Sequence, residues 1–521
     1  MALSSTPDSG PPSRLTRPDA TTSGRRDTGT GPVDTAAGGP KMTARLYGTL
    51  LVLCGALFLD GLDVSMVGVA LPSIQADLGL SNSSLQWIVS GYVLGYGGLL
   101  LLGGRAADLL GRRQVFLWAI GVFAVASLLG GLVDDPNLLI GTRFVKGVAA
   151  AFTAPAGLSI ITTTFHEGPA RNRALSFYTA CGASGFSMGL ILGGLLTEAG
   201  WRLTFLLPAP IALLVLIAGI RLIPRHRTER PAGAGYDLGG AATSTAALLL
   251  LVYAVVQAPN AGWLSARTLG AFALVAVLLV AFVAIERRVA HPLVRLGILR
   301  NRALVRANLG ALAVTGSYIG FQFIGTLYVQ VVLGWSPLAM ALAFLPAGLI
   351  VAFGGPRTGG LVNRFGTARV AAGGFVAFLA AYLLFLRIDG EAHYLGVILP
   401  TMLLLGAGFA LTFPTLNIQA TSGVADEEQG LASGLVQTAF QIGGAIALAG
   451  VTAVLASDAP APGHVPDSFY PAIGLVSGIA VFGLLIAAIG VFDRRGRRRG
   501  TPTDRPGADY RQAELERIGR A

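Results

Sequence analysis

Asp60 and Asp63 lie three residues apart inside the first long apolar run, which begins near Leu46. At that spacing two side chains share nearly one face of a helix. An ionised carboxylate near the centre of a bilayer costs about 2.5–3.5 kcal/mol on insertion scales. A chain that places two of them within one turn either uses their charge or pairs it. Arg143 and Lys146 repeat the spacing with the opposite sign in the fourth apolar run, and they are the counter-cations available at depth. The chemistry on offer is therefore acid–base and ion-pair chemistry within the membrane, confined to one cluster between runs one and four.

The elements that must position this cluster follow from composition. Of 521 residues, 53% are hydrophobic and only 12% charged, where a soluble globular protein carries about 25% charged residues. That balance describes a polytopic membrane protein, and the 71 glycines agree with it, since glycine is frequent in membrane helices. The net charge of +11 comes almost wholly from arginine. The arginines fall in short clusters between apolar runs, which orients a membrane protein and argues against nucleic-acid binding. Cys54 and Cys181 sit within apolar runs and the five histidines are scattered, so neither a disulfide framework, a metal site nor a bound cofactor is expected. No Gly-x-x-x-x-Gly-Lys-Ser/Thr phosphate loop occurs, and no nucleophile–base set lies within the runs, so an enzyme is not expected.

Fourteen runs of roughly the 20 residues that a bilayer requires can be placed between Leu46 and Phe492. Arginine clusters follow the even-numbered runs through the tenth, whereas the odd-numbered connections carry few cations and several acids. Both termini are thereby expected in the cytoplasm. Residues 1–45, rich in Ser, Thr, Pro and Gly, read as a disordered cytoplasmic tail, and 493–521 as a basic one. An internal repeat relates Gly104-Arg-Ala-Ala-Asp108-Leu-Leu-Gly111 to Gly359-Gly-Leu-Val-Asn363-Arg-Phe-Gly366, and Gly147-to-Pro155 to Gly406-to-Pro414. The expected domains are six-helix bundles at 46–224 and 306–492, two inserted helices at 225–286 and a cytoplasmic linker at 287–305. Such parallel halves are the layout of a rocking transporter, with the binding site at their interface. The fold class is thus an all-α polytopic membrane protein of 6 + 2 + 6 helices.

Four segments resemble the major facilitator superfamily, and within it the 14-helix drug:proton antiporters. Leu62-Asp63-Val64-Ser65-Met66-Val67-Gly68-Val69-Ala70-Leu71-Pro72 is similar to that family's first-helix motif, with Gly68 where Asn is usual. Gly104-Arg105-Ala106-Ala107-Asp108-Leu109-Leu110-Gly111-Arg112-Arg113 resembles its cytoplasmic loop signature, which implies a breakable charge latch between the halves. Arg143-Phe144-Val145-Lys146-Gly147 resembles the fourth-helix motif, with Lys146 where a neutral Gln is usual. Gly185, Gly189 and Gly193 resemble the antiporter motif of exporters, with Leu190 in place of Pro. The resemblance implies a major-facilitator fold in the cytoplasmic membrane, powered by the proton gradient. It also implies proton coupling at Asp63, which with Asp60, Arg143 and Lys146 reads as a relay. A proton loaded on Asp63 would weaken its ion pair and alter helix packing. Trp87, Tyr92, Tyr318, Gln322, Gln437 and Gln441 are the substrate-contact candidates, polar or aromatic groups within apolar runs. The expected partners are a small amphiphilic drug or antibiotic, protons and the bilayer, with the chain acting as a monomer. An exporter or importer of an endogenous metabolite is the alternative on the same fold, and a membrane sensor or enzyme the alternative of another class.

Overall fold

A computed structural model describes residues 44–80, 82–165, 167–225, 237–289, 292–391, 393–455 and 463–499. Most of the expected tails, 1–43 and 500–521, lies outside them. The helices are α1 (Ala44–Leu78), α2 (Asn82–Leu110), α3 (Arg112–Leu132), α4 (Pro136–Thr164), α5 (Pro169–Ala199), α6 (Arg202–Leu222), α7 (Leu238–Ala261), α8 (Ala266–Glu286), α9 (Arg302–Leu327), α10 (Pro337–Phe365), α11 (Thr367–Phe385), α12 (Leu399–Thr421), α13 (Gln429–Leu455) and α14 (Phe469–Arg499). Among the described residues thirteen are long and apolar enough to cross a membrane, and α7, with its apolar stretch Gly239–Val255, is the fourteenth. No strand occurs among the described residues. Because α14 runs on to Arg499, the helix continues past the expected boundary at 493.

Local signals explain where several helices start. Asp135 accepts a hydrogen bond from the Leu138 amide (2.9 Å) ahead of Pro136, and Ser336 from the Ala339 amide (3.2 Å) ahead of Pro337. A side-chain acceptor at the N-cap satisfies one orphan amide, and proline at the first helical position has no amide to lose. Pro155 in α4 and Pro414 in α12 lie inside their helices at matching places in the repeat. Neighbouring helices make such interruptions tolerable in a membrane.

The two sets of six helices pack alike: α1 on α5 as α9 on α13, α2 on α4 as α10 on α12, and α3 on α6 as α11 on α14. Between the sets, α2 meets α13 and α5 meets α10. The inserted α7 rests on α2 and α13, with α8 against α7. In lipid, tails and side chains are equally apolar, so close van der Waals fit decides which helices pair. The α1–α5 contact shows this. A Cβ on Gly185 would collide with the Phe58 carbonyl, one on Gly189 with Ser65 and the Leu62 carbonyl, and one on Gly193 would approach the Met66 Cα at 2.9 Å. The glycine stripe thus seats α5 directly on the backbone of the helix that carries Asp60 and Asp63.

The linker between the halves holds a short 3-10 turn, Leu296–Arg300. Leu293, Val294 and Ile298 are buried. The Leu293 amide donates to Asp237 and the Val294 amide to Glu286, both at 3.2 Å, tying the linker to the ends of α7 and α8.

Candidate functional site

Close packing of α1, α2 and α4 brings the charged residues together across 80 positions of sequence. Asp63 is fully buried, and each of its oxygens faces one cation. Arg143 Nη1 donates to Oδ2 at 2.5 Å, and Lys146 Nζ donates to Oδ1. Arg143 is fixed further by donating through Nε to the Ile88 carbonyl (3.1 Å) and by lying 4.7 Å from the centre of the Tyr92 ring. The Lys146 ammonium is 4.9 Å from the Phe123 ring centre and 5.5 Å from that of Phe205. Aromatic faces stabilise a desolvated cation by about 2 kcal/mol. The arrangement is a three-member hub carrying one net positive charge.

Asp60 stands apart from that hub. Both cations go to Asp63, and Asp60 Oδ2 is buried without a hydrogen-bond partner among the described residues. The expected cluster of two acids paired with two bases is therefore replaced by one acid between two bases and a second acid on the cavity wall. The three-residue offset, about 60° around the helix axis, turns Asp60 away from α4 and toward the space between the halves.

That space is a cavity of about 400 Å³. From the first six helices it is lined by Asp60, Tyr92, Tyr96 and Phe186, and from the last six by Tyr318, Gln322, Gln437 and Gln441. Phe409, Phe413 and Phe440 complete an aromatic wall, with ring centres 4.9 Å apart for Phe409–Phe413 and 4.5 Å for Phe413–Phe440. Tyr318 packs on Phe409 at 4.7 Å. Five of the six substrate-contact candidates line this cavity. Trp87 does not: it stacks on Tyr253 of α7, ring centres 6.0 Å apart. An apolar, aromatic chamber with a few convergent polar groups and one unpaired carboxylate suits an amphiphile of modest size. Sequence reasoning missed Tyr96, Phe409, Phe413 and Phe440. Their signal is the i, i+4 spacing of Tyr92–Tyr96 and Phe409–Phe413, which an ordinary core aromatic also shows.

The arginine-rich end of the molecule is closed. Asp108, at the end of α2, accepts hydrogen bonds from the amides of Gly430 (3.1 Å) and Leu431 (3.0 Å) in the first turn of α13. Those amides have no partner within their own helix, and the helix dipole there favours a negative group. Arg112 bridges Asp108 (3.1 Å) to the Asp426 carbonyl. Gly104 lies so close to α13 that a Cβ would approach the Gly434 Cα at 3.0 Å, and Gly111 turns the chain at φ 98°. At the repeat's second copy the contact replacing that of Asp108 is uncharged: Asn172 Nδ2 donates to Asn363 Oδ1 at 2.6 Å. Arg171, which also joins the halves, donates to the Thr421 carbonyl at 2.6 Å. Arg113 departs from the expected latch. It donates to the carbonyls of Ile220 (2.7 Å) and Ile223 (3.0 Å) and so caps α6 within its own half. The glycines 185, 189 and 193 likewise act within one half, between α1 and α5.

Among the described residues no group of His, Cys, Asp and Glu has the geometry of a metal site, and Cys54 and Cys181 are free thiols. The description of the family model that matches residues 53–448 is Major Facilitator Superfamily. The chain belongs to that superfamily. Across 474 residues the transporter is 37% identical to the puromycin resistance protein pur8 of Streptomyces alboniger, with 88% of this chain and 93% of that one covered. It is 39% identical to the cephamycin export protein CmcT of Amycolatopsis lactamdurans, covering 84% and 91%. Solved structures show the same fold at low identity. The human organic anion transporter MFSD10 matches with a TM-score of 0.59 at 16% identity, covering 85% of this chain and 99% of that one. The proton:xylose symporter XylE matches at 0.58 and 15%, covering 85% and 94%. The protein is therefore a multi-pass transporter of the cytoplasmic membrane with antibiotic-resistance and export proteins among its relatives, and it is not an enzyme.

Proposed function

We propose that this transporter expels a small amphiphilic drug or antibiotic in exchange for protons by alternating access. The observation that carries the reading is the division between the two carboxylates of α1: Asp63 locked between Arg143 and Lys146, and Asp60 unpaired on the wall of the aromatic cavity. Asp60 holds either a proton or the cationic end of the cargo. Protonating Asp63 removes the charge that holds Arg143 and Lys146 together and leaves two buried cations one turn apart. Breaking a buried pair in this way is worth about 3–5 kcal/mol, enough to favour a different packing of α1 against α4. In the state described here the arginine-rich end is shut by Asp108, Arg112 and Arg171, so cargo and proton would exchange from the opposite side. The relatives named for antibiotic resistance or export support the class of cargo. The arginine distribution between the helices implies that the closed, arginine-rich end is the cytoplasmic one.

The test is uptake of a fluorescent amphiphilic dye into inverted vesicles under an imposed pH gradient. Dye accumulation that collapses when the gradient is dissipated, and that is lost in Asp63→Asn, is the expected result. Gradient-driven transport at the wild-type rate in Asp63→Asn would refute the coupling assignment.

A further inference from the structure

Two cavities outside the transport chamber adjoin one another along the first six helices. The first is an apolar groove of about 480 Å³ between α3 and α4, walled by Trp118, Val122, Val148 and Phe152. The second, of about 380 Å³, lies beneath it at the arginine-rich end, between the ends of α3, α4 and α6. Leu110 and Gln114 line both, so the two cavities adjoin. The groove extends from the level of Arg112 to that of Val122, about 15 Å at 1.5 Å per residue. That is one leaflet of a hydrocarbon core about 30 Å thick. Trp118 is 74% exposed and Val122 42%, so this wall faces lipid.

The lower cavity has the opposite character. Arg112, Arg113 and Arg225 line it, with Thr163, Thr164 and one acid, Asp426. Arg112 is engaged by Asp108. Arg113 and Arg225 form no ion pair among the described residues, and Arg225 is close enough to repel Arg113. Two neighbouring guanidiniums with no ion pair among the described residues, at the foot of a leaflet-deep apolar groove, define their occupant by chemistry. It must carry a negative head at the membrane interface and a chain that descends along α3.

We propose that this face binds an anionic glycerophospholipid of the cytoplasmic leaflet, its phosphate at Arg113 and Arg225 and one acyl chain in the groove beside Trp118 and Val122. A basic residue near the membrane surface contributes about 1 kcal/mol toward an anionic lipid, so two should favour it over a zwitterionic lipid by roughly tenfold or more. The experiment uses the full chain in detergent with phosphatidylglycerol or phosphatidylcholine of identical acyl chains. Native mass spectrometry counts the lipid retained, and glycerol 3-phosphate serves as a headgroup-only control. Wild type should retain phosphatidylglycerol at least about tenfold over phosphatidylcholine and should not retain glycerol 3-phosphate. Arg225→Gln should cut that preference several-fold, and Arg113→Gln/Arg225→Gln should abolish it. Val122→Trp, which fills the groove, should lower retention of both lipids. Arg113 also caps α6, so the exposed Arg225 variant decides the matter if the double variant does not fold. Equal retention of the two lipids by wild type, an unchanged preference in Arg225→Gln, or undiminished binding in Val122→Trp would each overturn the proposal.

Discussion

Replacing Asp63 by Asn keeps the side chain's volume and deletes the charge that Arg143 and Lys146 share. Asp63 and Lys146 are fully buried and Arg143 is 1% exposed, so water does not screen the two cations left behind. Removing one member of a buried charge set costs about 3–5 kcal/mol. A chain of this size gains roughly 2 cal/mol/K of unfolding entropy per residue, so about 1 kcal/mol moves the melting temperature by about 1 °C. Asp63→Asn should therefore lower the apparent melting temperature in detergent by roughly 3–5 °C. Adding Lys146→Gln removes the surplus cation and supplies a neutral donor, so the double variant should regain at least half of the loss, a coupling of about 2 kcal/mol. All variants are compared at one heating rate, because unfolding of such proteins is commonly irreversible. An Asp63→Asn protein that melts with wild type, or a double variant no more stable than the single one, would contradict the hub geometry.

Asp60→Asn should behave oppositely. Because Oδ2 has no hydrogen-bond partner among the described residues, losing the charge relieves a burial cost, and the melting temperature should hold or rise while transport of a cationic dye falls at least tenfold in the vesicle assay. Gly185→Val should abolish accumulation of folded protein, since even a Cβ meets the Phe58 carbonyl. Gly194→Ala on the same helix meets nothing within 4 Å and should match or exceed wild-type stability by up to about 1 kcal/mol. Asp108→Ala removes two caps on α13 and the anchor of Arg112. It should raise cytoplasmic accessibility of a cysteine introduced in the cavity, read by labelling rate, whereas Asn363→Ala should have the smaller effect.

Much of the architecture was legible because the bilayer demands about 20 apolar residues per span and arginine marks the cytoplasmic connections. The partnership of Asp63 with Arg143 and Lys146 could be guessed by elimination, as few charges lie at depth. What the linear pattern does not carry is rotation about a helix axis. Asp60 and Asp63 share a broad face at i, i+3, yet that offset is enough to send one to α4 and the other to the cavity. Trp87 was misplaced because its partner, Tyr253, lies on an inserted helix whose docking site no repeat predicts. Arg113 follows Arg112 directly, and adjacent helical residues point about 100° apart, so one reaches across to the Asp426 carbonyl ahead of α13 and its neighbour turns back to α6. The phenylalanines of the cavity wall look like core residues until α12 and α13 are seen side by side.

The pairing of one helical half with another of like packing conceals an electrical imbalance. Away from the helix ends, the buried charges among the described residues belong to α1 and α4. The positions in α12 that correspond to Arg143 and Lys146 hold Met402 and Leu405. A membrane voltage exerts about 2.3 kcal/mol per elementary charge for each 100 mV traversed. With all four of Asp60, Asp63, Arg143 and Lys146 ionised their charges cancel, so the voltage pulls on the first six helices only while Asp60 or Asp63 holds a proton and leaves that half net positive, with the last six as a nearly neutral counterweight.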